Sequence, residues 1–269
     1  MRILFIGDVF GRSGRDAIKE HLGGLKDCLQ PDVVITNVDN AANGRGTTVT
    51  TAEEILGYGV DILTGGDHIW DQREMVCGVE NIKQIIRPYN LPIKTPGRGI
   101  IEGTFAGHKL TVVHLCGTTF MSKTFDNAFD AADKILETVK LSNNHSIFVD
   151  FHAEATSEKM ALGQYLDGKV TAVIGSHTHI PTADAQILPN GTAYQTDAGM
   201  TGDYNSVIGV KPSAPIGNFK RTVPNERMVP TDGEATLCGT LIEVNEQGLA
   251  VNIAPVRVGG RLSKSMPDF

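Results

Sequence analysis

Short apolar runs recur along the chain and end in polar turns, many of which contain glycine. Continuous runs of this length are typical of strands that are buried on both faces. The pattern therefore predicts strands over residues 2–6, 33–36, 60–63, 110–115, 146–151, 170–174 and 192–196.

Helical periodicity separates several of these runs. Ser13 is expected to cap a helix over 14–29 and Thr51 a helix over 52–58, and a further helix is predicted over 126–140. Strands that alternate with helices predict an α/β fold with a largely parallel sheet covered by helices.

The periodicity is lost after residue 196. Several Gly and Pro residues lie within 197–233, which predicts a long loop, and 235–244 and 249–257 then predict a hairpin. The sequence shows neither an internal repeat nor a convincing linker. We therefore expect a single domain over residues 1–269.

The net charge of the chain limits the partners that it can attract. The 269 residues carry a formal net charge of -7 and a pI near 5.6. An acidic chain has no general field for nucleic acid or anionic lipid, so neither stable duplex DNA binding nor membrane binding is expected. If the protein handles phosphates, a bound metal is the expected source of positive charge.

The cysteines and the apolar runs indicate the cytoplasm. None of Cys28, Cys77, Cys116 and Cys238 forms a C-x-x-C pair, so free thiols are expected. The first residues become polar too soon for a signal peptide, and no apolar run is long enough to span a bilayer.

Side chains that could bind metal or transfer a proton follow the ends of five predicted strands. In an open α/β sheet, ligands bind beyond the carboxyl ends of the strands, so these side chains should meet at one edge. Their convergence predicts a metal site, whereas none of them is persuasive alone. The residues are Asp8, Asp39, Asn40, Asp67, His68, His152, His177 and His179.

Several of the candidates also have a purely structural explanation. The pair His177 and His179 could lie on a surface loop, and His152 could be a core histidine. Asp39 is equally compatible with an Asn/Asp-rich turn and with a carboxylate that bridges two cations. His68 would be free for acid–base chemistry if Asp67 binds metal.

Neighbouring residues are assigned supporting roles. Asp71 is expected either to orient His68 or to cap the following helix, and Glu154 to support His152. Residues 196–202 could cradle an anion with backbone N–H groups or form an ordinary glycine-rich turn. Neither a dinucleotide fingerprint nor a Walker A lysine is present.

Taken together, these motifs make the chain similar to the YmdB-like family of bacterial metallophosphoesterases, a branch of the calcineurin-like phosphoesterase superfamily. The resemblance spans most of the chain in order. It is carried by residues 6–12, 39–42, 66–71, 151–158, 175–179 and 196–202.

The resemblance implies a four-layer α/β/β/α sandwich with mixed sheets and a dinuclear centre of iron or manganese. It implies hydrolysis of phosphodiesters, either cyclic nucleotides (2′,3′ or 3′,5′) or RNA, and it allows a homo-oligomer. By resemblance, Asp39 bridges the metals and His68 donates a proton. One metal is expected on Asp8, Asp39, Asn40 and His179, and the other on Asp39, Asp67, His152 and His177.

Two positions depart from the family pattern, which usually has Glu at position 39 and Asn at position 67. Asp39 is one methylene shorter, so a bridge needs a closer backbone or a displaced metal. Asp67 adds a negative charge, which is expected to tighten metal binding and to make a bound water less acidic.

Two other functions are compatible with the same residues. The first is a metal-dependent hydrolase that acts on amide or ester bonds. The second is a regulatory protein that senses a nucleotide or a metal with little turnover, for which the substitutions at positions 39 and 67 leave room.

Overall fold

The computed structural model describes residues 1–220 and 227–269. Six α-helices lie in this part of the chain, namely α1 (Gly11–Leu29), α2 (Val49–Gly57), α3 (Arg73–Gly78), α4 (Ala128–Thr138), α5 (Thr156–Tyr165) and α6 (Ser213–Phe219). The strands there are β1 (Arg2–Ile6), β2 (Val33–Asn37), β3 (Ile62–Thr64), β4 (Ile85–Ile86), β5 (Ile100–Phe105), β6 (His108–Cys116), β7 (His145–His152), β8 (Ala172–Ser176), β9 (Gln186–Ile187), β10 (Ala193–Gln195), β11 (Leu237–Val244) and β12 (Ala250–Val258).

The strands form two six-stranded sheets. In the first, β1 to β4 run parallel, β11 pairs antiparallel with β1, and β12 forms one edge. In the second, β6, β7, β8 and β10 run parallel between the antiparallel edge strands β5 and β9. The sheets are therefore mixed, and the predicted hairpin forms as β11 and β12.

The two sheets pack face to face and helices cover their outer faces. Phe5 of the first sheet and Phe148 of the second are fully buried, with ring centroids 5.3 Å apart. Helices α1 and α2 bury Ile18 and Ile55 against the first sheet, and α4 buries Ile135 against the second. This arrangement confirms the predicted four-layer α/β/β/α sandwich.

The predicted helix starts were wrong in detail. Helix α1 begins at Gly11 and its N-cap is Phe10, so Ser13 lies inside the helix. Helix α2 is capped by Thr48, whose side chain accepts a hydrogen bond from the backbone N–H of Thr51. Helix α4 is capped by Asn127. The pattern located the apolar faces, whereas the caps of α2 and α4 depend on side-chain hydrogen bonds of Thr48 and Asn127.

The region predicted as one long loop, 197–233, contains helix α6 and the isolated bridges of residues 201 and 202, and residues 221–226 lie outside the described part. No helix among the described residues combines the length and the apolarity that crossing a membrane requires. A single domain over residues 1–269 stays a prediction, and the core shared by the two sheets is compatible with it.

Candidate metal centre

The structure brings all seven predicted ligands to one region where the strand ends of both sheets meet. The ends of β1, β2 and β3 in the first sheet carry the acidic and amide members, and the ends of β7 and β8 in the second carry the histidines. The residues are Asp8, Asp39, Asn40 and Asp67 from the first sheet and His152, His177 and His179 from the second.

His152 lies at the centre of the tightest group of donor atoms. Its Nε2 is 3.3 Å from Asp39 Oδ2, 3.2 Å from Asp67 Oδ1 and 3.1 Å from His177 Nδ1. Nitrogen and oxygen donors that each lie about 2.0–2.2 Å from a shared cation are themselves about 3–3.5 Å apart. The donor set therefore fits a metal ion, which Asp39, Asp67, His152 and His177 could hold.

A second set of donors lies on the other side of the same region. His179 Nε2 is 3.2 Å from Asn40 Oδ1, and His179 Nδ1 is 2.9 Å from the carbonyl oxygen of Ile208. Because a carbonyl oxygen can only accept, Nδ1 carries the proton and the lone pair of Nε2 faces Asn40. Both carboxylate oxygens of Asp8 accept from the backbone N–H of His177.

The electrostatics of the site favour a cation. Asp8, Asp39 and Asp67 are all buried. Burial raises the pKa of Asp8 above its usual range, although the neighbouring His179 and His152 oppose the shift. Buried carboxylates without enough positive charge are costly, and bound metal is a common solution.

The pKa values of His152 and Asp67 show how strongly these two groups interact. Burial alone would lower the pKa of His152, but hydrogen bonds to Asp39 and Asp67 hold it well above its usual range. Burial would raise the pKa of Asp67, yet hydrogen bonds from His152 and His177 hold it well below its usual range. In both cases the short contacts outweigh the loss of solvation.

A buried polar chain fixes the ring of His152. Ser176 Oγ donates to Asp150 Oδ1 over 2.7 Å and lies 2.9 Å from His152 Nδ1. Since the hydroxyl proton goes to Asp150, Nδ1 of His152 must be the donor to Ser176, which leaves Nε2 facing Asp39 and Asp67. Asp150 also accepts from Asn37 and Thr64.

Sequence analysis missed Asp150 and Ser176. A signal was present, because Asp150 is a carboxylate inside an apolar strand, two residues before His152 and hence on the same face of β7. His114 is buried behind the site, with Nδ1 3.0 Å from Asp150 Oδ2.

His68 has one nitrogen fixed by a carboxylate. Its Nδ1 lies 2.8 Å from Asp71 Oδ2, its Nε2 lies 3.8 Å from Asp67 Oδ2, and its backbone N–H donates to the carboxylate of Asp39. Asp71 therefore orients His68 and does not cap α3, whose N-cap is Gln72. Glu154 contacts His177 Nε2 at 3.2 Å, so it supports His177 instead of His152.

The turn after β8 holds its two histidines in an unusual backbone conformation. His177 has φ 95° and His179 has φ 67°, a region that L-residues other than glycine seldom occupy. Asp197 fixes the intervening residue, because its Oδ2 accepts from both the backbone N–H and the hydroxyl of Thr178. Lys159 donates to Asp197 Oδ2 and to the carbonyl of Ser176, each over 2.7 Å.

The interpretation of residues 196–202 as an anion cradle was wrong. Every backbone N–H from Thr196 to Gly202 donates to an acceptor within the protein. The acceptors include the backbone oxygens of Asp8, Gly175 and His179. This segment therefore supports the site from behind and has no N–H group left for a ligand.

Two glycines permit close approaches in the site. A Cβ on Gly66 would lie 2.4 Å from the ring of His152, and a Cβ on Gly175 would lie 1.8 Å from the carbonyl oxygen of Thr196. Neither position could accept a larger residue without displacing the site.

Comparison with known proteins gives consistent matches along nearly the whole chain. A 2′,3′-cyclic-nucleotide 2′-phosphodiesterase of Bacillus subtilis (strain 168) is 44% identical over 247 residues, which cover 92% of each chain. A solved structure of a hypothetical protein from Thermus thermophilus has a TM-score of 0.90 at 40% identity and covers 97% of this chain and 100% of that one.

A solved structure described as a novel phosphatase of Mycoplasma pneumoniae also has a TM-score of 0.90, at 33% identity, and covers 96% of this chain and 93% of that one. The family model described as YmdB-like protein matches residues 4–256. On the strength of that match and of these relatives, the chain belongs to the YmdB-like family of metallophosphoesterases.

Proposed function

We propose that this chain is a metal-dependent phosphodiesterase that hydrolyses 2′,3′-cyclic nucleotides. The observation that carries the proposal is the contact of His152 Nε2 with Asp39, Asp67 and His177 in a buried site. The 44% identity to a 2′,3′-cyclic-nucleotide 2′-phosphodiesterase supports the choice of substrate.

The donor atoms support a centre of two transition-metal ions, iron or manganese. When bound, such ions offset the negative charge of a phosphodiester and lower the pKa of the attacking water. Carboxylate and imidazole donors in one set suit these metals. Asp8, Asp39, Asn40 and His179 would hold one ion, and Asp39, Asp67, His152 and His177 would hold the other, so Asp39 belongs to both sets.

His68 is the proton donor of the proposed reaction. In hydrolysis, the oxygen of water bonds to phosphorus, the P–O bond to one ribose oxygen breaks, and that oxygen needs a proton. Asp71 accepts from His68 Nδ1 and so fixes the ring with Nε2 beside Asp67. His68 Nε2 then delivers its proton to the departing oxygen.

The first test combines metal analysis with a substrate panel. The purified protein is analysed for metal and assayed, with added Mn²⁺, on 2′,3′-cyclic AMP, 3′,5′-cyclic AMP, bis-p-nitrophenyl phosphate, a short RNA and p-nitrophenyl acetate. We expect about two ions per chain and fastest turnover of 2′,3′-cyclic AMP.

The same panel separates the other functions. Turnover of the acetate ester alone would show an ester hydrolase. Bound metal without turnover of any substrate would favour a regulatory protein. Faster turnover of 3′,5′-cyclic AMP or RNA would support a phosphodiesterase whose substrate differs from the one proposed.

A pair of variants tests the proton donor. His68→Ala is expected to keep its metals and to lose about 10²- to 10⁴-fold in kcat, because one positioned acid is removed. His177→Ala is expected to lose metal as well as turnover. Loss of metal from His68→Ala would instead make His68 a ligand.

A further inference from the structure

The loop that joins β6 to α4, residues 117–127, is held in place at both ends. Near its start, Glu158 accepts from the backbone N–H and hydroxyl of Thr118 and from the backbone N–H of Thr119, over 2.9–3.1 Å. Near its end, Asn90 Nδ2 donates to the carbonyl of Asp126 over 2.7 Å.

The middle of this β6–α4 loop contacts the candidate metal centre. Ser122 Oγ lies 3.3 Å from Asp67 Oδ2. Lys123 Nζ donates to the carbonyl oxygen of Asp67 and, over 2.7 Å, to Asp71 Oδ1. The loop thus places a hydroxyl and an ammonium group beside a proposed metal ligand and beside the carboxylate that orients His68.

Phe120 lies between these attachment points and points to solvent. Its side chain is 84% exposed, and its φ of 62° is rare for an aromatic residue. Only Met121 separates it from Ser122, so the two Cα atoms lie within about 7 Å. A largely exposed phenyl ring therefore lies close in the chain to the residues that contact the candidate metal centre, on a loop that is attached at both ends.

We infer that Phe120 is the platform on which the nucleobase of the substrate stacks, an inference that rests on the proposed function. A nucleotide held by its phosphate at the metal centre extends ribose and base towards the rim. Stacking of a base on an exposed aromatic ring is a usual means of binding unpaired nucleotides without selecting the base. Phe120 thus favours nucleotides over simple phosphodiesters, with little discrimination among the four bases.

The test compares two substrates that differ only in the base. These are 2′,3′-cyclic AMP and methyl β-D-ribofuranoside 2′,3′-cyclic phosphate. Phe120→Ala should lower kcat/KM for the nucleotide on the order of 10-fold, mainly by raising KM. Its kcat/KM for the riboside should stay within about 2-fold of the wild-type value. Phe120→Trp should retain the nucleotide activity, and Phe120→Leu should be intermediate.

A matched control and a binding measurement complete the test. Phe219→Ala removes a phenyl ring of nearly equal exposure, 85%, from α6 and should change kcat/KM for neither substrate. Binding of 3′-AMP, measured by calorimetry, should weaken on the order of 10-fold in Phe120→Ala, which needs no turnover.

Each outcome separates this inference from the proposed function. Equal losses on both substrates would show that Phe120 only shapes the loop, and no loss on either would show that the base does not touch it. A change in sedimentation of Phe120→Ala with unchanged 3′-AMP binding would assign the ring to a contact between copies. If the wild-type protein turns over neither substrate but binds 3′-AMP more tightly than Phe120→Ala does, the role of Phe120 is supported and the proposed function is wrong.

Discussion

Each histidine of the candidate centre is oriented by a different acceptor. His152 donates through Nδ1 to Ser176, His179 donates through Nδ1 to Ile208, and His177 places Nε2 against Glu154. In every case the other nitrogen faces the site, so the protein itself selects the tautomer that a metal requires.

The acceptor for His152 can be removed without touching a ligand. Ser176→Ala should weaken binding of Mn²⁺ about 10- to 100-fold, because the ring of His152 loses the contact that fixes its tautomer. The apparent Kd is measured by titration of the metal-free protein. Ser146→Ala is the matched control, since Ser146 is equally buried and contacts His108 at the opposite end of β7. Equal Kd values for the two variants would contradict this role.

Asp67 brings a negative charge into the candidate centre. Its carboxylate contacts His152, His177 and Ser122. Asp67→Asn should therefore weaken Mn²⁺ binding on the order of 10-fold, as loss of an anionic donor does, and should shift the acidic limb of the pH–rate profile to lower pH.

A neighbouring carboxylate gives the comparison for that variant. Asp71→Asn should leave metal content unchanged and lower kcat, because Asp71 contacts His68 and not the proposed ligands of the centre. Unchanged metal retention and an unchanged pH profile for Asp67→Asn would refute the role assigned to its charge.

At the scale of elements, helix α5 secures the turn after β8. Lys159 of α5 is buried and pairs with the buried Asp197, which in turn holds Thr178 between the two positive-φ histidines. The ion pair thus connects a helix on the outside of the second sheet to the strained turn that presents His177 and His179.

Removal of the lysine should uncouple the turn from the helix. Lys159→Met leaves Asp197 buried without its cation, which typically costs about 3–5 kcal/mol in the free energy of unfolding. Urea denaturation measures this loss, and elemental analysis should show reduced metal. The double variant Lys159→Met with Asp197→Asn should recover much of the stability, because no lone charge remains. A single variant as stable as the wild type would contradict the role of the pair.

The same helix shows why part of the structure was not predictable. Its buried residues include Lys159, Leu162 and Gly163, so α5 has almost no apolar stripe to detect. The convergence of the seven proposed ligands was predictable because each follows an apolar strand. Ser176 and Lys159 act through partners far away in sequence, which local patterns do not reveal, and Asp150 was signalled only by its place inside an apolar strand.

At the scale of the molecule, the candidate centre takes residues from both sheets, which also share an apolar core. The first sheet supplies Asp8, Asp39, Asn40 and Asp67, and the second supplies His152, His177 and His179. Between them lies the apolar layer that contains Phe5 and Phe148. A metal ion held by donors from both sheets would bind the folded state alone, because unfolding separates the donors.

Metal removal should therefore lower the thermal stability of the whole molecule. At a free metal concentration about 100 times Kd, binding contributes about 2.7 kcal/mol, which corresponds to a shift in Tm of roughly 5–10 °C for a chain of this size. Calorimetry with Mn²⁺ and with a chelator measures the shift. His68→Ala should keep it, since His68 is not a proposed ligand, whereas His152→Ala should lose most of it. Because His152 belongs to the second sheet and contacts Asp39 and Asp67 of the first, an undiminished shift in His152→Ala would mean that the metal does not join the sheets.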